Sequence, residues 1–270
     1  RESHMHIHFL DPYRPRPSLV HALDPRIKLV LAVAFILVTA LTPLGVWPIY
    51  ILLFSLMMAV VLLSELGIAY VLKRAVLAFP FVLAALPLLV TVKGAPLATL
   101  PVLGWTLSWE GLERFGSIAV RSWISVQMAI VLAASTPFPD LLRSMRALRV
   151  PRLLVATFGL MWRYLFVLAD EVLRILRARA ARSGHAEEAG LRPGGTLAWR
   201  ARVTGGMAGG LFLRSFERGD RIYAAMIARG YDGETRTFPL PAISTTGWLI
   251  LVSGLLVLML LLGLSYLISL

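Results

Sequence analysis

Ala181-Arg182-Ser183-Gly184 and Ala228-Arg229-Gly230-Tyr231 each set an arginine among small residues where a long basic stretch of helical periodicity runs into glycine. The chemistry open to such an arginine is recognition. A planar guanidinium carries five N–H donors, keeps its charge, and grips a carboxylate or a row of carbonyls as a fork. Ala178 and Ala181 before the first stop, and Ala224, Ala225 and Ala228 before the second, leave room for another backbone to come close. A cation in a last turn also complements the negative end of the helix dipole, typically by about 0.3 to 1 kcal/mol. That accounts for one arginine per end, but not for the small residues around it. The pair therefore reads as a two-point docking device.

Other chemistry-bearing residues are present without the arrangement chemistry needs. Gly205, Gly206, Gly209 and Gly210 fail as a phosphate loop, because no Gly-Lys-Ser/Thr follows and no apolar strand precedes them. Their four-residue spacing instead gives a small-residue face for close helix packing. Arg163 interrupts an apolar run and Asp170 lies seven residues on, along the same face. The two are expected to form a structural ion pair, with Glu171 or an acid on a neighbouring helix as the other partners in view. His6 and His8 read as surface residues of a tail, and Met57-Met58 as gap-filling packing. The chain has no cysteine, which excludes disulfides and thiolate metal sites. Asp170, Glu171 and His185 are the best acid–base cluster available, and their spacing has no compelling geometry. No catalytic group and no metal ligand is expected on this chain.

The elements that must hold the arginines follow from composition. With 58% hydrophobic and 16% charged residues, and a mean hydropathy of +0.76, the chain carries more apolar surface than one soluble core hides. Lipid must be the solvent for much of it. A net charge of +12 raises nucleic acid as a partner, but cytoplasmic basic loops explain it more simply, and none is expected. Five segments are long and apolar enough to span: 27–44, 46–66, 75–92, 112–134 and 246–267, with Pro43, Pro48 and Pro96 marking turns. Arg14, Arg16, Arg26 and Lys28 precede the first, Lys73 and Arg74 separate the second from the third, and an arginine-rich stretch follows the fourth. The N-terminus is thus expected inside and the C-terminus outside. Arg121 and Gln127, the strongly polar groups inside the fourth span, read as interhelical hydrogen bonders or snorkelling side chains. The expected fold is an all-α membrane protein of about five transmembrane helices, with a helical cytoplasmic insert between the fourth and fifth. Residues 1–4 read as an expression scar, 5–134 as an N-terminal membrane domain, 135–243 as the insert and 244–270 as a last membrane helix.

Several motifs in order then resemble a known family. They are Ser18-Leu19-Val20-His21-Ala22-Leu23-Asp24-Pro25-Arg26-Ile27-Lys28, Ser135-Thr136-Pro137, Arg163-Tyr164, and the two arginine signatures, the second followed by Tyr231-Asp232-Gly233. The sequence is similar over nearly its whole length to the transmembrane T component of energy-coupling factor transporters, especially the cobalt/nickel branch. The resemblance implies that Ala181, Arg182, Ser183 and Ala228, Arg229, Gly230 dock on two ATP-binding-cassette ATPases. It further implies that these helices pass ATPase closure to a small substrate-binding membrane subunit, in the cytoplasmic (inner) membrane of a prokaryote. ATP and magnesium would belong to the ATPases, no cofactor to this chain, and the cargo would be cobalt first and nickel next. Ser183 departs from the family's glycine. Two readings from other classes stay open: a membrane-embedded enzyme acting at the cytoplasmic surface, and a basic membrane anchor binding lipid or nucleic acid.

Overall fold

The computed structural model describes residues 12–92, 94–100, 105–182, 196–233 and 240–269. In chain order the helices are α1 (Leu19–Ala22), α2 (Pro25–Leu41), α3 (Trp47–Leu63), α4 (Ile68–Ala75), α5 (Phe79–Ala85) and α6 (Leu88–Thr91). An antiparallel ribbon of β1 (Pro96–Leu100) and β2 (Trp105–Ser108) leads into α7 (Trp109–Ser135) and α8 (Phe138–Ala147). Then come α9 (Arg152–Arg182), α10 (Leu197–Ala228) and α11 (Thr245–Ser269). The chain divides into two units, Pro12–Leu148 with Pro239–Leu270, and Arg149–Phe238.

In the first unit α7 is the post around which α2, α3, α4, α5 and α6 pack, and α11 lies against α2. Phe35, Leu53, Met57, Val71, Ile124 and Val131 form its apolar centre. Met57 is a core filler, as its sequence context implied. Prolines set the helix starts. Pro25 and Pro48 occupy first-turn positions where a missing N–H costs nothing, and the Asp24 carboxylate caps α2 by accepting from the Arg26 N–H at 2.9 Å.

The same residue type breaks one expected span. Over 75–92 the chain is not one helix: α4 stops, a 3-10 turn covers Val76–Ala78, and α5 and α6 are separate short helices. Pro80 and Pro87 lie within this stretch, and each lacks an N–H and crowds the carbonyl four residues before it. Of the other expected spans, α7 and α11, with 27 and 25 residues, are long and apolar enough to cross a membrane. α2 and α3 have 17 residues each, about 25 Å at the helical rise. The third helix of sufficient length and hydropathy is α9, which the sequence places in the insert. The β1–β2 ribbon was not foreseen at all. α8, expected in the insert, packs on α2.

Polar groups lock the bundle. Arg121 Nε donates to the Tyr50 hydroxyl at 2.9 Å and its Nη1 to the Ala40 carbonyl at 3.1 Å, while the Tyr50 hydroxyl donates to the Pro43 carbonyl at 2.7 Å. A carbonyl of the last turn of α2 is thereby satisfied from α7, the interhelical role expected of Arg121. Gln127 is different. It is 1% exposed, and neither its Oε1 nor its Nε2 has a partner among the described residues. Its α7 neighbours Ile124, Met128 and Val131 all belong to the apolar core and offer nothing to bond.

At the other end, the 14–28 segment is stitched to α7 and to the approach of α11. The Arg14 N–H donates to the Ala134 carbonyl at 2.9 Å, and Lys28 Nζ to the Ser135 carbonyl at 3.1 Å. Arg26 pairs with Asp24 at 2.7 Å and also donates to the Pro241 carbonyl. His21 Nε2 lies 2.9 Å from the Arg14 carbonyl, which can only accept, so that nitrogen carries the proton and Nδ1 accepts from the Ser18 hydroxyl at 2.6 Å. Burial holds His21 below the ordinary imidazole range.

Candidate docking site on the paired long helices

The unit Arg149–Phe238 is carried by α9 and α10, of 31 and 32 residues. Thr196 caps α10, its hydroxyl accepting from the Trp199 N–H at 3.3 Å. The cross-contacts fix the direction of the pair. Arg179 donates to the Thr204 hydroxyl at 3.3 Å, while Glu171, eight residues earlier, meets Arg214, ten residues later, at 3.3 Å. Leu153 and Ala156, earlier still, share a groove with Met226 and Ile227. Rising numbers on α9 meet falling numbers on α10, so the helices run antiparallel.

Antiparallel pairing sends the two arginine signatures to opposite ends. Arg182 closes α9, whereas Arg229 lies where α9 begins. At 1.5 Å per residue the two positions are on the order of 40 Å apart along α9. Both arginines are exposed, as are Ala181 and Ala228. Ser183 and Gly184 lie outside the described residues, so the first stop is seen only up to Arg182. The second is complete. Arg229 is the C-cap, Gly230 has φ 79°, its N–H donates to the Ile227 carbonyl at 2.9 Å, and the Tyr231 N–H reaches back to the Met226 carbonyl at 3.0 Å. This is the paired 5→2 and 6→1 bonding that closes a helix on a left-handed glycine. It frees the Arg229 side chain from any capping duty.

Between the ends the charge is lopsided. Arg174, Arg179, Arg182 and Arg214 line one groove together with Trp199. The acid engaged there is Glu171, which takes Arg174 at 2.6 Å and Arg214 at 3.3 Å. It bridges the two helices, a role not assigned to it from sequence beyond its being one possible partner of Arg163. Its three-residue spacing to Arg174 was the available signal.

The expected Arg163–Asp170 pair does not form. The two residues are both exposed, and two helical turns hold them about 10 Å apart along the axis, beyond ion-pair reach. Among the described residues the glycine face has no neighbour: a Cβ built on Gly205, Gly206, Gly209 or Gly210 meets nothing within 4 Å. α9 contacts α10 through Thr204, Met207 and Arg214, which leaves those glycines pointing into open space. His6, His8 and His185 lie outside the described residues.

Comparison of the sequence with known proteins identifies its relatives. The model of the family described as "Cobalt transport protein", CbiQ, matches residues 17–240. The chain is 29% identical over 178 residues to the cobalt transport protein CbiQ of Rhodobacter capsulatus, covering 65% of this chain and 69% of that one. It is 28% identical over 242 residues to the energy-coupling factor transporter transmembrane protein EcfT of Lacticaseibacillus paracasei, covering 83% and 85%. A putative fused cobalt transport protein CbiMQ of Methanocorpusculum labreanum is 27% identical over 249 residues, covering 85% of this chain and 39% of that one. The match runs from the stitched N-terminal segment through both arginine ends, and this chain belongs to the CbiQ family, the transmembrane component of energy-coupling factor transporters.

Proposed function

We propose that this chain couples two ATP-binding-cassette ATPases to a small substrate-binding membrane subunit, for uptake of a transition-metal ion, cobalt first and nickel next. The observation that carries the reading is the placement of Arg182 and Arg229, exposed at opposite ends of one antiparallel helix pair. Two ATPase subunits that approach each other on binding ATP would move two such ends at once. Among the described residues Glu171 and Arg179 tie the two helices together, so the pair can move as one lever. The relatives named as cobalt transport and energy-coupling factor proteins support the cargo class and the division of labour. ATP and magnesium sit on the partners in this scheme, and the chain itself performs no catalysis.

Its orientation, N-terminus inside and C-terminus outside, rests on charge. Arg14, Arg16, Arg26, Lys28, Lys73 and Arg74 gather at the end where α2 starts and α3 and α7 finish, the end a cytoplasmic leaflet attracts. In this scheme the apolar first half of α9 lies against lipid or the substrate subunit and does not cross.

The test is Arg182→Ala combined with Arg229→Ala in the assembled transporter, followed by ATPase co-purification and cobalt uptake. Loss of either is expected. Full assembly with unchanged uptake overturns the proposal.

A further inference from the structure

Between α2, α3, α7 and α11 the bundle holds a cavity of about 230 Å³. Leu31, Phe35, Leu56, Val60, Val131 and Leu258 are among its walls, and Lys28 and Ser135 line it where α2 begins and α7 stops. From Lys28 to Phe35 the helix advances about 10 Å, which is most of one leaflet's share of a hydrocarbon core about 30 Å thick. The cavity thus starts at the basic end of the bundle and runs inward along apolar walls.

Lys28 is 8% exposed. Its Nζ donates to the Ser135 carbonyl at 3.1 Å and to the His21 carbonyl at 3.4 Å, so one of its three N–H groups has no acceptor among the described residues. Two acids act on it through space, Asp24 and Asp140. Each is already committed: Asp24 to Arg26 at 2.7 Å and Asp140 to Arg143 at 3.2 Å. Three cations share two carboxylates, and none of these ion pairs includes Lys28. A buried cation whose neighbouring carboxylates are already paired with other cations is costly, so the site favours an anion. The surroundings give that anion a shape, with one negative group at Lys28 continuing into hydrocarbon.

We propose that this cavity binds the acyl chain of an anionic membrane lipid, with the lipid phosphate against Lys28. A soluble phosphate satisfies the charge but leaves the apolar walls unused, and a zwitterionic lipid fills the walls but brings its own cation to the headgroup. An anionic phospholipid does both, and it stitches α11 and α3 to the α2–α7 pair from within.

The test uses the purified full chain in neutral detergent. Phosphatidylglycerol, phosphatidylcholine, oleate or inorganic phosphate is added, retained lipid is counted by native mass spectrometry, and thermal unfolding is followed. Phosphatidylglycerol should be retained about tenfold over phosphatidylcholine and raise the unfolding temperature, a ratio worth about 1.4 kcal/mol. Lys28→Met should bring retention down to the phosphatidylcholine level, and Lys28→Arg should keep most of it. Val60→Phe, which fills the cavity with Lys28 intact, should lower retention about tenfold and decides the matter if Lys28→Met does not fold. Equal retention of the two phospholipids, or of phosphatidylglycerol by Val60→Phe and the unaltered chain, overturns the proposal. So does an equal thermal shift from inorganic phosphate, which leaves no role for the acyl chain, or from oleate, which assigns the site to a fatty acid. A photoreactive side chain at Leu63, which also lines the cavity, that crosslinks only to protein in the assembled transporter overturns it in favour of a partner helix.

Discussion

In the bundle, Leu53, Met57 and Ile124 are wholly out of reach of solvent, and Arg121 commits its guanidinium to two neighbouring helices. In the long helix pair only Val155 and Ala156 are buried, while Arg174, Arg177, Arg182, Arg218 and Arg229 stand exposed beside Phe212, Leu213 and Phe216. Both regions are helical and both are rich in apolar residues. The bundle uses those residues to hold itself together, whereas the pair displays them together with exposed cations. Broad apolar surface that a chain does not cover itself marks contact with other molecules or lipid. Stability should therefore reside in the first region and coupling in the second.

The double substitution of Arg182 and Arg229 is the strongest way to break that division. It should cut cobalt uptake by at least about a hundredfold, the equivalent of one lost charged hydrogen bond of about 1.5 kcal/mol at each of the two sites, while leaving thermal unfolding of the isolated chain unchanged. A large drop in unfolding temperature would mean that the ends are structural after all. The converse comes from Leu53, which has no exposed surface. Leu53→Ala should cost about 2 to 5 kcal/mol of stability, read by denaturant titration in detergent. Leu176→Ala, at a residue 44% exposed on α9, should stay within about 0.5 kcal/mol. Similar costs at the two sites would erase the distinction.

Much of the bundle was legible because its signals are local. Asp24-Pro25 starts α2 and hydropathy marks α7 and α11; in the long pair, Gly230 likewise stops α10 through a backbone angle that glycine adopts freely. The broken third span was misjudged because averaged hydropathy outweighed Pro80 and Pro87, whose steric effect falls at single positions. The β1–β2 ribbon went unseen because Trp105-Thr106-Leu107-Ser108 is too short to establish a period of two. In the long pair, exposed Arg182 and Arg229 were readable as helix ends, but their antiparallel separation was not, since it depends on contacts such as Arg179 with Thr204. The Arg163–Asp170 pairing failed for a related reason. Two residues can share a helix face and still be two turns apart.

Gln127 sharpens the comparison from inside the bundle. An amide buried without partners keeps its full desolvation cost, about 1 to 3 kcal/mol, so Gln127→Met should stabilise the isolated chain by about that amount. The substitution keeps the length of the side chain and removes both unsatisfied atoms. A destabilised Met variant, by thermal unfolding in detergent, would show that Gln127 is bonded to something other than the described residues.

The smallest effects test the helix pair, and one substitution should act with opposite signs along α10. At Gly230 an added methyl meets no atom within 4 Å, but φ is 79°, so Gly230→Ala should cost about 1 to 2 kcal/mol through the backbone alone. At Gly205, Gly206, Gly209 and Gly210 the space is equally open and the backbone is helical. Each alanine there should raise helix stability by up to about 1 kcal/mol. If that glycine face receives a partner helix, as small residues at four-residue spacing allow, the fourfold alanine variant should be more stable alone yet slower in uptake within the assembled transporter. Uptake that rises or holds along with stability would remove the glycines from the docking surface and leave contact with partners to the arginine ends and the apolar groove between the helices.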